Sequence, residues 1–258
     1  MRSFLWYSIK NMTNEMKQRL RGKVALITGG SRGIGRAIAG AFATEGASVF
    51  ICGRHEASVE KAVAEIGKAG GAVSGRAADI GQEDQVERIV NGAAELYGRI
   101  DVLVNNASAL GPRLPIAEYP SSAWEEVLRV NLWGLFLVTK QVVQLMLPRQ
   151  QGSIINVSSG VGRIGKPRWG AYAVSKFGLE GFTQMLAEEV EDFGIRVNAV
   201  NPGPTRTKMR AEAYPDEDPM KLPQPDEITE VFTYLASDDS VQVTGKSLDA
   251  QDWTKRRN

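Results

Sequence analysis

The sequence predicts an α/β fold: a single doubly wound parallel sheet with helices on both faces. Three observations predict it. From Lys23 onward, short apolar runs alternate with longer segments of helical periodicity. The strand-like runs are continuously apolar rather than alternating, which is how strands read when both sheet faces are covered. No Pro-, Gly- or Ser-rich linker divides this alternation, so strict βα order builds one sheet. A chain of 258 residues lies near the upper edge of a usual domain, a size that single α/β sheets reach.

Val24-Ala25-Leu26-Ile27 is the first strand, and Ala37 to Glu45 continues the helix behind it. Ser48 to Cys52 is the second strand, with a helix around Val59 to Lys68. Val73 to Ala78 is a weaker third strand, followed by a helix from Gln82 to Leu96; Ile100 to Val104 is the fourth strand. Ser122, with Glu125 three residues on, has the form of a capping box and opens a long helix to about Leu147. Ser153 to Val157 is the fifth strand, Tyr172 to Val190 the next helix, and Ile195 to Val200 the sixth strand. Pro202 to Pro225 reads as loop, Glu227 to Ala236 as helix, and Gly245 to Ala250 as the seventh strand. Residues 1–22 read as a flexible N-terminal extension, leaving 23–258 as the domain. The apolar run Phe4-Leu5-Trp6-Tyr7 is shorter than the ~7–15 residue core of a secretion signal. The extension is either a frayed segment, with Met12 and Met16 as alternative starts, or an amphipathic stretch that touches a partner or membrane.

Hydrophobic residues at 43% and charged residues at 24% exclude a disordered, collagen-like or coiled-coil chain. With 31 basic against 30 acidic residues the net charge is +1, so no global field draws the chain to nucleic acid or lipid. The single cysteine, Cys52, cannot form an internal disulfide, which matches a reducing, cytoplasmic setting. The single histidine, His55, argues against a His-based metal site or a Ser-His-Asp triad. Glycine, at 27 residues, is the enriched type.

Those glycines cluster informatively. The first strand ends in Thr28-Gly29-Gly30-Ser31-Arg32-Gly33-Ile34-Gly35 and then enters a helix. Without Cβ atoms, backbone N–H groups can approach a pyrophosphate, and the helix dipole favours its charge. The loop lacks Gly-Lys-Ser/Thr, which argues against a triphosphate-binding loop. The second strand ends Cys52-Gly53-Arg54 with no carboxylate before Glu56. An acid there would bind ribose hydroxyls and repel a 2′-phosphate; Arg54 and Arg32 instead offer two cations to such a phosphate and favour NADP.

The glycine turn, Asn105-Asn106-Ala107, Asn131, Ser159, Tyr172-x-x-x-Lys176 and Pro202-Gly203-x-x-x-Thr207 together resemble the classical short-chain dehydrogenases/reductases, in order and over about Lys23 to Gly245. Within that family the chain is most similar to the 3-oxoacyl-acyl-carrier-protein reductase-like members. The resemblance implies a Rossmann-type seven-stranded sheet and an NADP(H)-dependent oxidoreductase that interconverts a carbonyl and a secondary alcohol without a metal. It implies that Gly29, Ser31, Arg32, Gly33, Ile34 and Gly35 cradle the pyrophosphate side of the cofactor. Asp79 and Ile80 would meet the adenine, and Asn105 and Ala107 would line the cofactor. Pro202 and Gly203 would turn the chain under the nicotinamide, with the Thr205 backbone and Thr207 hydroxyl as carboxamide or phosphate contacts. Asp79 also reads as a cap before the Gln82 helix, and His55 as a surface or adenine-edge residue.

Tyr172 and Lys176, four residues apart, share one helix face. An ammonium one turn away is expected to lower the phenol pKa from ~10 towards the working range. Ser159, just beyond the fifth strand, would hold the carbonyl oxygen; Lys176 would also bind the nicotinamide ribose, and Asn131 would complete a proton relay through water, as the resemblance implies. Specificity falls to the loops Leu110–Tyr119, Gly160–Trp169 and Lys208–Gln224. Departures from the family are Ser108, where glycine is frequent, and the ending Leu248 to Trp253. Gln150 and Phe193 stand where a carrier-docking reductase has basic residues, with Arg149 next door. The family resemblance implies a homotetramer or homodimer, with Leu132, Trp133, Leu135 and Phe136 as interface or core. The alternative functions are a reductase or dehydrogenase of another small ketone or alcohol, and a catalytically weak nucleotide-binding scaffold.

Overall fold

The computed structural model describes residues 18–254. Among them, β1 (Val24–Thr28), β2 (Ser48–Gly53), β3 (Val73–Ala77), β4 (Val102–Asn105), β5 (Gly152–Val157), β6 (Ile195–Asn201) and β7 (Ser247–Asp249) form one sheet. Its order is β3-β2-β1-β4-β5-β6-β7, with every neighbouring pair parallel. The helices between them are α1 (Gly33–Thr44), α2 (Glu56–Lys68), α3 (Glu83–Tyr97), α4 (Ser121–Leu128), α5 (Gly134–Met146), α6 (Gly170–Val190), α7 (Lys208–Ala213), α8 (Glu230–Ala236) and α9 (Ala250–Thr254).

The continuous apolar runs are explained by two cores, one on each face of the sheet. Ala25 and Ile27 of β1 pack with Ile38 and Phe42 of α1 and Phe232 of α8. Leu26, between them in sequence, points the other way and packs with Ile89 of α3, Leu137 of α5 and Leu186 of α6. Alternate residues of each inner strand thus feed opposite cores, and every position must be apolar. The strand order reverses between β1 and β4, which opens a crevice at their carboxyl ends.

Four expectations need correction. The capping box expected at Ser122 and Glu125 is not formed: the helix begins at Ser121 behind Pro120, without a side-chain cap. The capping box lies instead at Gln224 and Glu227. The long helix to about Leu147 is interrupted by a wide π-type turn at Arg129–Trp133. The Pro202–Pro225 stretch is not all loop, because the Thr207 hydroxyl accepts from the Arg210 N–H and starts α7. The expected extension over residues 1–22 ends earlier among the described residues: Leu20 is fully buried, and Arg19 pairs with Glu45 at 3.1 Å and Glu230 at 2.8 Å. Positions 1–17, with the Phe4–Tyr7 run, lie outside the described residues.

Candidate active site

The glycine turn leaves β1 with Gly29 at φ 65° and Gly33 at φ 56°, both in the left-handed region that favours glycine. A Cβ on Gly29 would stand 2.8 Å from Asn106 Nδ2 and 2.9 Å from Ala107 Cα, so only glycine lets the ends of β1 and β4 meet. The turn is tied to β4 by Asn106, whose Nδ2 donates to the Thr28 carbonyl at 2.9 Å and the Gly29 carbonyl at 3.0 Å. The Thr28 hydroxyl accepts from the Asn106 and Ala107 N–H groups. Arg32 precedes α1 in extended conformation and gives no side-chain cap. The first N–H groups of α1 therefore face the cleft as an anion site.

A cavity of about 600 Å³ runs from this turn across the carboxyl edge of the sheet. At one end it is lined by Ser31, Arg32, Gly33, Ile34, Arg54, His55, Asp79 and Ile80. Gly53 must lack a Cβ there, because one would sit 2.7 Å from Ser31 Oγ. Arg54 is exposed and its Nη1 reaches Glu126 at only 3.5 Å, a loose contact that leaves the guanidinium able to take a phosphate. Asp79 is more committed. Its carboxylate accepts from Arg129 Nη2 at 2.8 Å and from the Gly81 N–H at 2.9 Å. Burial pushes its pKa up, but Arg129 and the Gly81 N–H outweigh this and hold it below the ordinary carboxylate value.

At the other end of the cavity stand Ser159, Tyr172, Lys176, Pro202, Gly203 and Thr205, while Thr207 lies at the glycine turn, its Cγ2 3.7 Å from where a Cβ on Gly33 would stand. Tyr172 and Lys176 are both buried on α6. Lys176 Nζ donates to the Val157 carbonyl at 2.7 Å and lies 5.6 Å from the centre of the Tyr172 ring. The expected lowering of the tyrosine pKa does not follow from its surroundings. Burial pushes the phenol up to about 12, and the nearby hydroxyls of Ser159 and Ser108 pull only partly against it. Burial likewise pushes Lys176 down to about 8, partly offset by the negative charge of Glu180. Both groups are thus kept from water, which favours their neutral forms.

Asn131 lies in the π-type turn and is buried. Its Oδ1 accepts from the Ala109 N–H at 2.7 Å, and its Nδ2 donates to the Ala109 carbonyl at 3.0 Å and to Ser175 Oγ at 2.9 Å. The amide therefore fixes the loop after β4 against α6 rather than facing the cavity. Asn105 and Gly35 also lie behind the wall. Asn105 donates within the sheet to Thr139 and Asn156, while Gly35 gives room to the Asn106 amide and Gly29 carbonyl.

Three contributors escape the reading from sequence. Asn106 clamps the glycine turn where its neighbour Asn105 was expected to act. Ser108, noted only as a departure, sets its hydroxyl beside Tyr172. Glu180, four residues beyond Lys176 on α6, accepts from the Ser158 hydroxyl and from Ser247 Oγ at 2.9 Å, with Arg163 at 3.6 Å. Its i, i+4 spacing from Lys176 was the available signal.

The sequence matches the short chain dehydrogenase family over residues 23–218. The chain belongs to that family. It is 38% identical over 245 residues to the uncharacterized oxidoreductase YciK of Escherichia coli K12, covering 90% of this chain and 93% of that protein. It is 40% identical over 239 residues to the 3-oxoacyl-[acyl-carrier-protein] reductase FabG of Thermotoga maritima, covering 89% and 96%. The solved structure of YciK superposes with a TM-score of 0.86, covering 91% of this chain and 98% of that one. A short chain dehydrogenase from Escherichia coli CFT073 complexed with NADPH superposes with a TM-score of 0.87 at 38% identity, covering 91% and 99%. As a short-chain dehydrogenase, the protein is an oxidoreductase built on this sheet.

Proposed function

We propose that the protein interconverts a carbonyl and a secondary alcohol with NADP(H), using Tyr172 as the proton donor and acceptor. The observation that carries this reading is one continuous cavity with an anion-binding glycine turn at one end and a buried tyrosine, serine and lysine at the other. The residues present suit the cofactor: Gly33 and Ile34, at the start of α1 where no side chain caps the helix, line the cavity and offer it their N–H groups. Arg32 and Arg54 flank the place of a 2′-phosphate, and Asp79 with Ile80 borders the adenine end. NADP(H), when bound, supplies or takes the hydride at the carbonyl carbon.

The chain's own residues do the acid–base work. The Ser159 hydroxyl donates to the carbonyl oxygen and holds it beside Tyr172. The Tyr172 phenol gives its proton to that oxygen as negative charge develops there. The Lys176 ammonium, fixed by the Val157 carbonyl, stabilises the resulting phenolate. Glu180 favours the charged form of Lys176 from below. Asn131 positions the Ala109 loop and, through Ser175, the backbone at Tyr172, whose carbonyl accepts from Ser175 Oγ at 2.7 Å.

Replacing Tyr172 by Phe removes the proton donor while leaving the ring in place. NADPH-dependent reduction of a ketone panel should fall at least about 10²–10⁴-fold, while NADPH binding followed by fluorescence persists. Retained turnover would refute the assignment. The 40% identity to FabG supports 3-oxoacyl thioesters as a second substrate reading, tested by running acetoacetyl-CoA beside simple ketones. Docking of an acidic carrier finds little support at the expected positions. Arg149 is held by the buried Asp101 at 2.8 Å, and Phe193 presents an exposed ring.

A further inference from the structure

Arg113 belongs to the loop between β4 and α4 and does not line the cavity. Its guanidinium carbon lies 4.7 Å from the ring centre of Trp169 and 4.7 Å from that of Tyr214. Its Nη1 donates to the Ala213 carbonyl. Trp169, Ala213 and Tyr214 do line the cavity. The two rings stand 6.0 Å apart, and Trp169 is in turn 5.5 Å from the ring of Tyr172. Tyr214 also carries Arg210 at 3.8 Å, and Arg210 is clamped by Glu217 through two contacts of 2.6 Å.

One cation therefore ties together three segments distant in sequence: its own loop, the Trp169 turn and the end of α7. The backbone next to Trp169 shows what this placement costs. Arg168 is held at φ 67°, a left-handed conformation that disfavours a side chain and persists only where surrounding contacts impose it. Gly170 follows at φ 38°, closed over the Tyr119 ring. Both exceptions flank the ring that meets Tyr172.

We infer that Arg113 is a positioning residue that, from behind the wall, sets Tyr214 against Trp169 and Trp169 against Tyr172 and so selects carbonyl compounds bearing a flat apolar group. Two of the cations lining this wall are paired: Arg210 with Glu217, and Lys208 with Glu212 at 3.9 Å. Leu110, Val161 and Met209 complete an apolar lining. This deepens the proposed carbonyl–alcohol reaction and rests on it for Tyr172 marking where the carbonyl oxygen sits.

The test measures binding apart from turnover. NADP+ cannot reduce a ketone, so the enzyme with NADP+ and a ketone forms a dead-end complex whose affinity calorimetry reads directly. The native enzyme should bind acetophenone at least about tenfold more tightly than acetone, the size of effect a buried ring contact supplies. Arg113→Met should lose most of that preference and Arg113→Lys should retain part of it, with NADP+ affinity the same in all three. In turnover, Arg113→Met should raise KM for acetophenone more than it lowers kcat. Trp169→Leu, which removes the ring that Arg113 holds, should lose the preference too and decides the matter if Arg113→Met fails to fold. A native enzyme without preference, or a folded Arg113→Met or Trp169→Leu that keeps it, overturns the inference. Preference that depends on Arg113, with no NADPH oxidation by any ketone, upholds the role of Arg113 and refutes the proposed reaction.

Discussion

The two ends of the cavity are built from different materials. The glycine turn end is backbone: Gly29 and Gly33 with positive φ, and the Thr28 and Gly29 carbonyls held by one amide from Asn106. The far end is side chains, with the rings of Tyr214, Trp169 and Tyr172 meeting in that order at tilted angles and Arg113 lying against the first two. The first end accepts the part of a ligand that is the same in every turnover, and few residue types fit its geometry. The second end meets the variable part, and many packings would satisfy it. Rigidity of shape at one end and freedom of composition at the other follow from what each must hold.

Substitutions at each end should therefore fail differently. The largest effect after loss of the Tyr172 hydroxyl is expected at Gly35, where a Cβ collides with Asn106 and the Gly29 carbonyl. Gly35→Val should weaken NADPH binding by about 5- to 150-fold, the equivalent of 1–3 kcal/mol of overpacking, and should lower the melting temperature. Binding by titration and melting by calorimetry check both halves. Unchanged affinity would mean that the turn is more pliant than the contrast requires.

Of similar size in affinity, but without the loss of stability, is Arg54→Glu. The residue is exposed and its ion pair with Glu126 is long, so stability should hold while NADPH affinity falls about 10- to 150-fold, as for loss of a charge-assisted hydrogen bond of ~1.5–3 kcal/mol. NADH affinity should stay or rise, which a competition titration reads. Equal losses for both cofactors would place Arg54 away from the 2′-phosphate.

The smallest effect is a shift in pH dependence. Lys176 is protonated below about 8, so its support of the Tyr172 phenolate is present at neutral pH and lost as pH rises through that value. The rate of ketone reduction should accordingly fall above about pH 8. Glu180 raises the Lys176 pKa; Glu180→Gln should move that fall to lower pH. A fall that stays in place would show that Glu180 serves packing alone.

The same contrast separates what is legible in the sequence from what is not. The sheet was legible because Leu26 and its neighbours feed opposite cores, a requirement that leaves a continuous apolar run. The Gly29–Gly35 turn and the Tyr172/Lys176 pair were legible because backbone geometry and helix pitch constrain spacing locally. Which of Asn105 and Asn106 clamps the turn was not, since it depends on where β4 ends and which way the last residues face. The upward shift of Tyr172 was hidden for another reason: spacing shows a lysine one turn away but not how completely the pair is removed from water. Arg113 gave no sequence signal, because its partners lie 56 and 101 residues further along the chain and meet only through the fold.

The wide turn at Arg129–Trp133 touches both ends at once. Arg129 holds Asp79 beside the adenine end, and two residues later Asn131 holds Ala109 near Tyr172. A residue inserted into or deleted from a helix rotates everything beyond it by about 100°. Loops on the surface of this enzyme can lengthen or shorten without rewriting the cavity, but a change of one residue within this single turn would throw either the Asp79 clamp or the Ala109 clamp out of phase. Length variation in the Lys208–Gln224 segment is therefore expected to alter the Tyr214 side of the cavity alone, and a change of length here to alter both ends.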